Sequence, residues 1–352
     1  MQEKSDLWLH KRDHIVSSFA RRHAHNYLMM GRKRAEGGAL ADARRLLHHS
    51  LDLDPEYIPA LRMVAALEYT LGDLPMAKQF LGRLLLLVSP DAELLFLAGN
   101  IALSDSNPRE AVEYFHQAEA RGGHSEELYF NMGMAHLILE EGLPAEHAFL
   151  TLLKDHPHHA HAWDALGCAR RQTKNYDGAV QAFQQSLLDE YGNNEARDHL
   201  AQTYLELGKA QLARQILEEA LSLEPQRRGS RHLLGMAFAA ADNYPDAVAC
   251  WETVIAQGDA PPEAYHLLAN AYLHLNDFAL AMHTLETLVS LFPNHLPGHL
   301  QLALLFLEHG DRSSAGEHLR IARALDPNNP MLAHVLAAVK PISRELRPTR
   351  DA

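Results

Sequence analysis

Histidine is the residue type that most suggests chemistry in this chain. There are 24 in 352 residues, and the densest run reads His156-Pro157-His158-His159-Ala160-His161. His158 and His161 stand three apart, a spacing at which one helical face presents two imidazoles to zinc or nickel. No cysteine or carboxylate completes an obvious ligand set beside them, and the run spans a turn. A solvated polar turn is the simpler reading, and no metal site is expected. Imidazoles titrate near neutrality, which opens a pH response to such a chain. Cys168 and Cys250 lie 82 residues apart, so reduced thiols are expected, not a disulfide framework. The chain has no glycine-rich phosphate loop, nucleophile elbow or HExxH pair. Its carboxylates scatter over solvent positions of helices. No catalytic residue and no cofactor are expected, and the chain does not read as an enzyme.

The elements that carry these residues repeat. Ala43, Ala77, Ala111, Ala145, Ala179, Ala213, Ala247, Ala281 and Ala315 follow one another at intervals of 34 residues. Twelve residues before each stands a second very small residue: Gly31, Ala65, Gly99, Gly133, Gly167, Ala201, Gly235, Ala269 and Ala303. Four residues after each alanine is a large apolar one, from Leu47 and Leu81 through Phe115, Phe149, Phe183 and Leu217 to Trp251, Leu285 and Leu319. Spacings of three and four place such residues on one helical face. Two helices of about 14 residues, each roughly 20 Å long, therefore pack face to face. The small columns are expected where the two backbones come closest. Proline follows the second helix at Pro55, Pro157, Pro225, Pro293 and Pro327, where it ends the helix. Gly72-Asp73, Asn175, Gly208, Asn243, Asn276-Asp277 and Gly310-Asp311 suit a tight turn inside each hairpin.

Read together, these residues resemble the tetratricopeptide repeat, whose 34-residue pattern runs W-x2-L-G-x2-Y, then A-x3-F, then P. Trp163, Leu166, Gly167, Ala179 and Phe183 follow it, with departures at Arg170 and Tyr191. Tyr129, Met132, Gly133, Ala145, Phe149 and Pro157 follow it in the preceding repeat. The resemblance covers nine repeats over residues 24–329. It implies an all-α fold, a right-handed superhelical solenoid of helix-turn-helix hairpins, in which the first helix of each pair lines a concave groove. Residues 1–23 read as an N-terminal capping or docking helix, with Leu7, Trp8, Lys11, Ile15 and Phe19 along one side. Residues 330–352 read as a C-terminal capping helix followed by a polar tail from Pro341. Terminal repeats need such caps, because they otherwise expose a stacking face.

The resemblance also implies which side chains face the groove: positions 5, 6, 9 and 12 of each first helix. In the first four repeats most of these are apolar, with methionine recurring, and Met63, Phe96, Phe130 and Met134 are the expected peptide-binding surface. Methionine suits an adaptable groove for an amphipathic helix or extended segment. Asn100 and Asn131 occupy positions where co-chaperones of this family hold a peptide backbone, since an amide both donates and accepts. Phe96, Ala165 and His161 stand where those proteins carry basic residues, so a clamp for a terminal carboxylate is not expected. His161 is retained as a peptide-binding candidate.

The net charge of −13 argues against a nucleic-acid partner. Residues 1–49 carry ten Lys or Arg and five acidic residues, a basic end on an acidic chain. No signal-peptide run follows Met1 and no apolar span of about 18 residues occurs. A cytoplasmic chain without membrane insertion is expected. The functional expectation is a scaffold or adaptor that binds another protein or peptide in its groove, chaperone-like for a secreted or assembled partner. One alternative is a self-assembling homo-oligomer joined through the N-terminal helix. A histidine-dependent metal binder is the weaker alternative.

Overall fold

A 34-residue repeat folds only if each hairpin turns at the same place, and one backbone angle shows that it does. The structure is a computed structural model that describes the backbone of residues 2–339 and the side chains of residues 19–336. The side chains of the stripe Leu7, Trp8, Lys11 and Ile15, and the tail from Pro341, lie outside what is described. In all nine hairpins the fifteenth residue of the repeat adopts a positive φ. It is Gly38, Gly72, Ser106, Glu140, Lys174, Gly208, Asp242, Asn276 or Gly310. The next residue's N–H then bonds to the carbonyl five residues back, as in Asp73 to Glu68 (2.9 Å), Glu141 to His136 (2.9 Å) and Asp311 to Phe306 (2.8 Å). This is the Schellman ending, which satisfies carbonyls left over at a helix C-terminus.

The chain divides into two compact units, residues 1–182 and 183–352. The first holds α1 (Gln2–Glu36) with α2 (Leu40–Leu53), α3 (Ile58–Thr70) with α4 (Leu74–Leu87), and α5 (Ala92–Ser104) with α6 (Pro108–Ala120). It continues through α7 (Glu126–Ile138), α8 (Gly142–Asp155) and α9 (Ala160–Gln172) into α10 (Tyr176–Asp189), inside which the division falls. The second unit holds α11 (Asn194–Glu206) with α12 (Ala210–Leu223), and α13 (Arg228–Ala240) with α14 (Tyr244–Ala256). Then come α15 (Pro262–His274) with α16 (Phe278–Leu291), α17 (Leu296–Glu308) with α18 (Arg312–Leu325), and α19 (Pro330–Val339). Every element among the described residues is helical, and none of these helices is long and apolar enough to cross a membrane. The N-terminal segment and the first helix of the first repeat are one helix, α1. It is tied to the next turn by the Ser50 hydroxyl, which donates to the Ala24 carbonyl (2.7 Å), and by the Arg21–Asp54 ion pair (3.1 Å).

All nine alanines of the 34-residue column have no exposed surface. The other small column works differently from the backbone approach expected of it. It makes room for the large side chain sixteen residues on. A Cβ on Gly133 would lie 2.6 Å from Phe149 ring carbons, and one on Gly235 would lie 2.8 Å from the Trp251 ring. Gly99 stands in the same relation to Phe115.

In four repeats the side chain at the fourth position donates to the carbonyl six residues back, closing the turn between repeats. Trp163 Nε1 reaches Pro157 (2.8 Å), Arg231 Nη2 reaches Pro225 (2.5 Å) and His299 Nε2 reaches Pro293 (2.9 Å). Arg197 does the same to Tyr191 and lies 4.5 Å from that ring's centroid, which explains an arginine only 1% exposed. The guanidinium stacks on the aromatic face while Nη1 donates to the Tyr191 carbonyl and to Asn194 Oδ1, and Nε is buried with no bonded partner among the described residues.

Candidate peptide-binding groove

In the first unit a cleft of about 460 Å³ opens between α1, α3 and α5. Leu28, Met29, Met63 and Leu97 form much of its lining, with Arg62 and Glu93 among the polar residues of the wall. Met63 is therefore where the sequence places it, and Met29 faces the same space. Two flexible thioether side chains in one cleft adapt to varied apolar partners.

Arg62 is oriented by Asp91, the N-cap of α5. Its two terminal nitrogens reach the two carboxylate oxygens at 3.0 and 2.7 Å, and Asp91 also accepts the Leu94 N–H at 2.9 Å. The guanidinium holds the Asp91 carboxyl below the usual carboxylate range, against the opposing effect of burial. Positions 5 and 34 meet in the second, fourth, sixth and eighth repeats, with different chemistry each time. In the fourth repeat Phe130 stacks on His159 (centroids 5.6 Å apart). In the sixth, Asp198 and Arg227 form the pair with the charges reversed (3.0 Å). In the eighth, the rings of His266 and His295 lie 5.7 Å apart. Sequence reasoning missed Asp91, His159, Arg227 and His295. Reading columns 5 and 34 together, at a spacing of 29 residues, would have found them.

Further along the same unit, the amide of Asn131 donates to Asn100 Oδ1 at 2.8 Å. A primary amide has two donor hydrogens and two acceptor lone pairs, so one mutual bond leaves both side chains able to hold a peptide group. Phe96, Phe130 and Met134 are half-buried and pack on the hydrophobic cluster of α5 to α9. The Phe96 ring lies 6.0 Å from that of Phe115, and the Phe130 ring lies 5.9 Å from that of Phe149. Part of each aromatic surface thus belongs to the repeat core. His161 is exposed on α9, its ring 6.3 Å from His159.

The second unit repeats the amide pair at the same two register positions. Gln301 Nε2 donates to Asn270 Oδ1, and Gln301 Oε1 is buried with no bonded partner among the described residues. The signal for this pair was present in the sequence, an amide at position 9 followed by another at position 6 of the next repeat.

Comparison with known proteins agrees with this architecture. The model of the tetratricopeptide repeat family matches residues 145–195, 165–231, 232–295 and 266–330. The TPR repeat-containing protein YpiA of Bacillus subtilis (strain 168) is 24% identical over 166 residues, 47% of this chain and 39% of that protein. The chain spans less than half the length of the curated relatives it matches, 18% and 39% of them. A tetratricopeptide repeat protein from Parabacteroides merdae superposes with a TM-score of 0.56 at 14% identity, over 70% of this chain and 97% of that one. PilW, a type IV pilus biogenesis factor, does so at 0.55 and 17% identity, over 61% of this chain and 99% of that one. At such identities the likeness concerns the fold. The family match runs from residue 145 to residue 330, more than half of the chain, and this protein belongs to the tetratricopeptide repeat family.

Proposed function

We propose that this protein is a non-catalytic scaffold that holds an apolar segment of another protein in the groove of its first unit, as a cytoplasmic adaptor or chaperone. Its family mediates protein–protein interaction. The observation that carries the reading is the cleft lined by Met29, Met63 and Leu97 in the same unit as the bonded amides of Asn100 and Asn131. Apolar side chains supply the affinity, while the amides hold the backbone of the bound segment. An exposed apolar concavity bounded by polar groups is the usual form of such a site.

The test is affinity capture from the native host with the full chain, followed by titration of the captured partner. Met63→Glu places a charge in the cleft and should weaken binding by tenfold or more, with helical content unchanged. Asn131→Ala should cost roughly 1–3 kcal/mol through lost backbone bonds. If both variants bind every captured partner as wild type does, the proposal fails for this groove.

A second reading, self-assembly through the N-terminal helix, is favoured by the length of α1, 35 residues against 14 in its partner α2. Sedimentation of the full chain and of one lacking residues 1–22 distinguishes the two. An assembly that dissociates on deletion, and on raising salt, supports self-assembly.

A further inference from the structure

In the second unit, α17 is anchored by imidazoles that must be short of protons. His295 is its N-cap, and its Nδ1 accepts the Gly298 N–H at 3.1 Å. A protonated Nδ1 has no lone pair for that bond, and an imidazolium would face the positive end of the helix dipole. His299 follows in the first turn and is 3% exposed. Its Nε2 lies 2.9 Å from the Pro293 carbonyl oxygen, and its Nδ1 lies 2.9 Å from Nδ1 of His318 on α18. A carbonyl only accepts, so His299 Nε2 carries a hydrogen. A neutral His299 then has a bare Nδ1, and His318 donates its Nδ1 hydrogen to it. One extra proton fits on His318 Nε2 without disturbing the pair. A second has only His299 Nδ1 to occupy, where two N–H groups would meet head-on.

We propose that α17 is an acid-released latch, in which His295 and the His299–His318 pair hold the last hairpin closed while deprotonated and open it when they fill with protons. The surroundings leave the direction of the response clear. From α15, His266 faces His295, and Glu263 acts on both. From α16 and α18, Glu286 and Glu317 act on His318, and Phe306 of α17 stacks on it. From α19, the buried Leu332 and Val335 pack against this layer, and His334 is exposed. Burial pushes the imidazoles of His266, His295 and His318 down, and a neighbouring histidine pushes each further. The three glutamates pull the other way without reversing the shift.

The folded protein therefore binds fewer protons than the unfolded chain, whose histidines titrate near pH 6.5. The stabilisation is complete above that pH. It is lost as pH falls through it, down to the lowered folded values, below which the loss levels off. Within that window each proton missing from the folded form raises the opening constant about tenfold per pH unit.

Hydrogen exchange of the full chain at pH 7.5, 6.5 and 5.5, corrected for intrinsic rates, tests this. Opening of α17 and α18 should rise about tenfold or more per unit below pH 6.5. His318→Asn supplies an amide that donates to His299 or, rotated, accepts from it, and it does not titrate. This variant should lose the share of the slope that the pair contributes, about a tenfold change per pH unit, while His295 keeps its own. Equal slopes in variant and wild type, or a flat response in wild type, would overturn the latch. Nitrogen-15 spectra of the wild-type imidazoles provide a check that does not depend on the variant folding. His299 should carry its hydrogen on Nε2 at neutral pH. Finding both rings of the pair fully protonated at pH 5.5 with α17 intact would also overturn it.

Discussion

The Phe149 ring occupies the space that Gly133 leaves open, so closely that a Cβ on the glycine would sit 2.6 Å from two of its carbons. The relation extends along the chain as a rule of exchange. Glycine goes with an aromatic residue sixteen positions on at Gly99 and Phe115, Gly133 and Phe149, Gly167 and Phe183, and Gly235 and Trp251. Alanine goes with leucine at Ala65 and Leu81, Ala201 and Leu217, Ala269 and Leu285, and Ala303 and Leu319. Gly31 with Leu47 is the one departure. In the other eight hairpins the smaller residue of the column goes with the larger partner, the exchange that close packing favours.

Adding a methyl at this position should therefore overpack the hairpin. Gly133→Ala is expected to lower stability by about 1–3 kcal/mol, read from thermal or urea unfolding. Phe149→Leu in the same chain should recover part of that loss by restoring the alanine–leucine combination. A double variant no more stable than Gly133→Ala would show that the two residues do not share the volume.

The hairpin turns carry a removable strain. Glu140 holds a φ of 60° in the turn where Gly72 holds 78° in another repeat. A left-handed conformation costs a residue with a Cβ roughly 1–2 kcal/mol, and glycine adopts it freely. Glu140→Gly should stabilise the α7–α8 hairpin by up to about 1 kcal/mol, seen as slower hydrogen exchange of those helices. Glu141, the next residue, pairs with His136 five residues back (2.7 Å), and that contact should persist. Exchange unchanged or faster would contradict the strain.

Equivalent contacts between repeats carry opposite charge order. Glu68, with no exposed surface, accepts from Arg44 (2.8 Å) and His48 (3.1 Å), and three repeats later Glu146 and Arg170 hold the same register positions reversed (2.8 Å). Removing the half-exposed Arg44 takes a partner from the buried Glu68 carboxylate, and placing an arginine at 68 buries a cation beside Arg44, whereas reversing both keeps opposite charges facing each other. Arg44→Glu and Glu68→Arg are each expected to lower the melting temperature, and the double reversal should melt above both singles. A double reversal that melts at or below the weaker single would mean that the site is not interchangeable.

The sequence by itself determined the repeat, its period and its punctuation. Helical hairpins follow from spacing alone, because residues three and four apart must share a face and small residues recurring every 34 positions must share an environment. The placing of Met63 in the cleft, and of Asn100 and Asn131 in adjacent repeats, was legible for the same reason, since register in one repeat is register in the next; that the two amides bond to each other was not. What the tertiary structure decided were the relations between columns. Phe96 and Phe130 read as a free binding surface, yet both lean on core rings, because a first-helix side chain at position 5 lies against its own hairpin as well as the groove. The small column read as backbone contact, yet it accommodates a ring. His299, one of 24 histidines, carried no distinguishing pattern until the fold set its Nδ1 against that of His318. Local periodicity reports which face of a helix is buried. Which side chain from the neighbouring helix meets it depends on packing that no single-helix period contains.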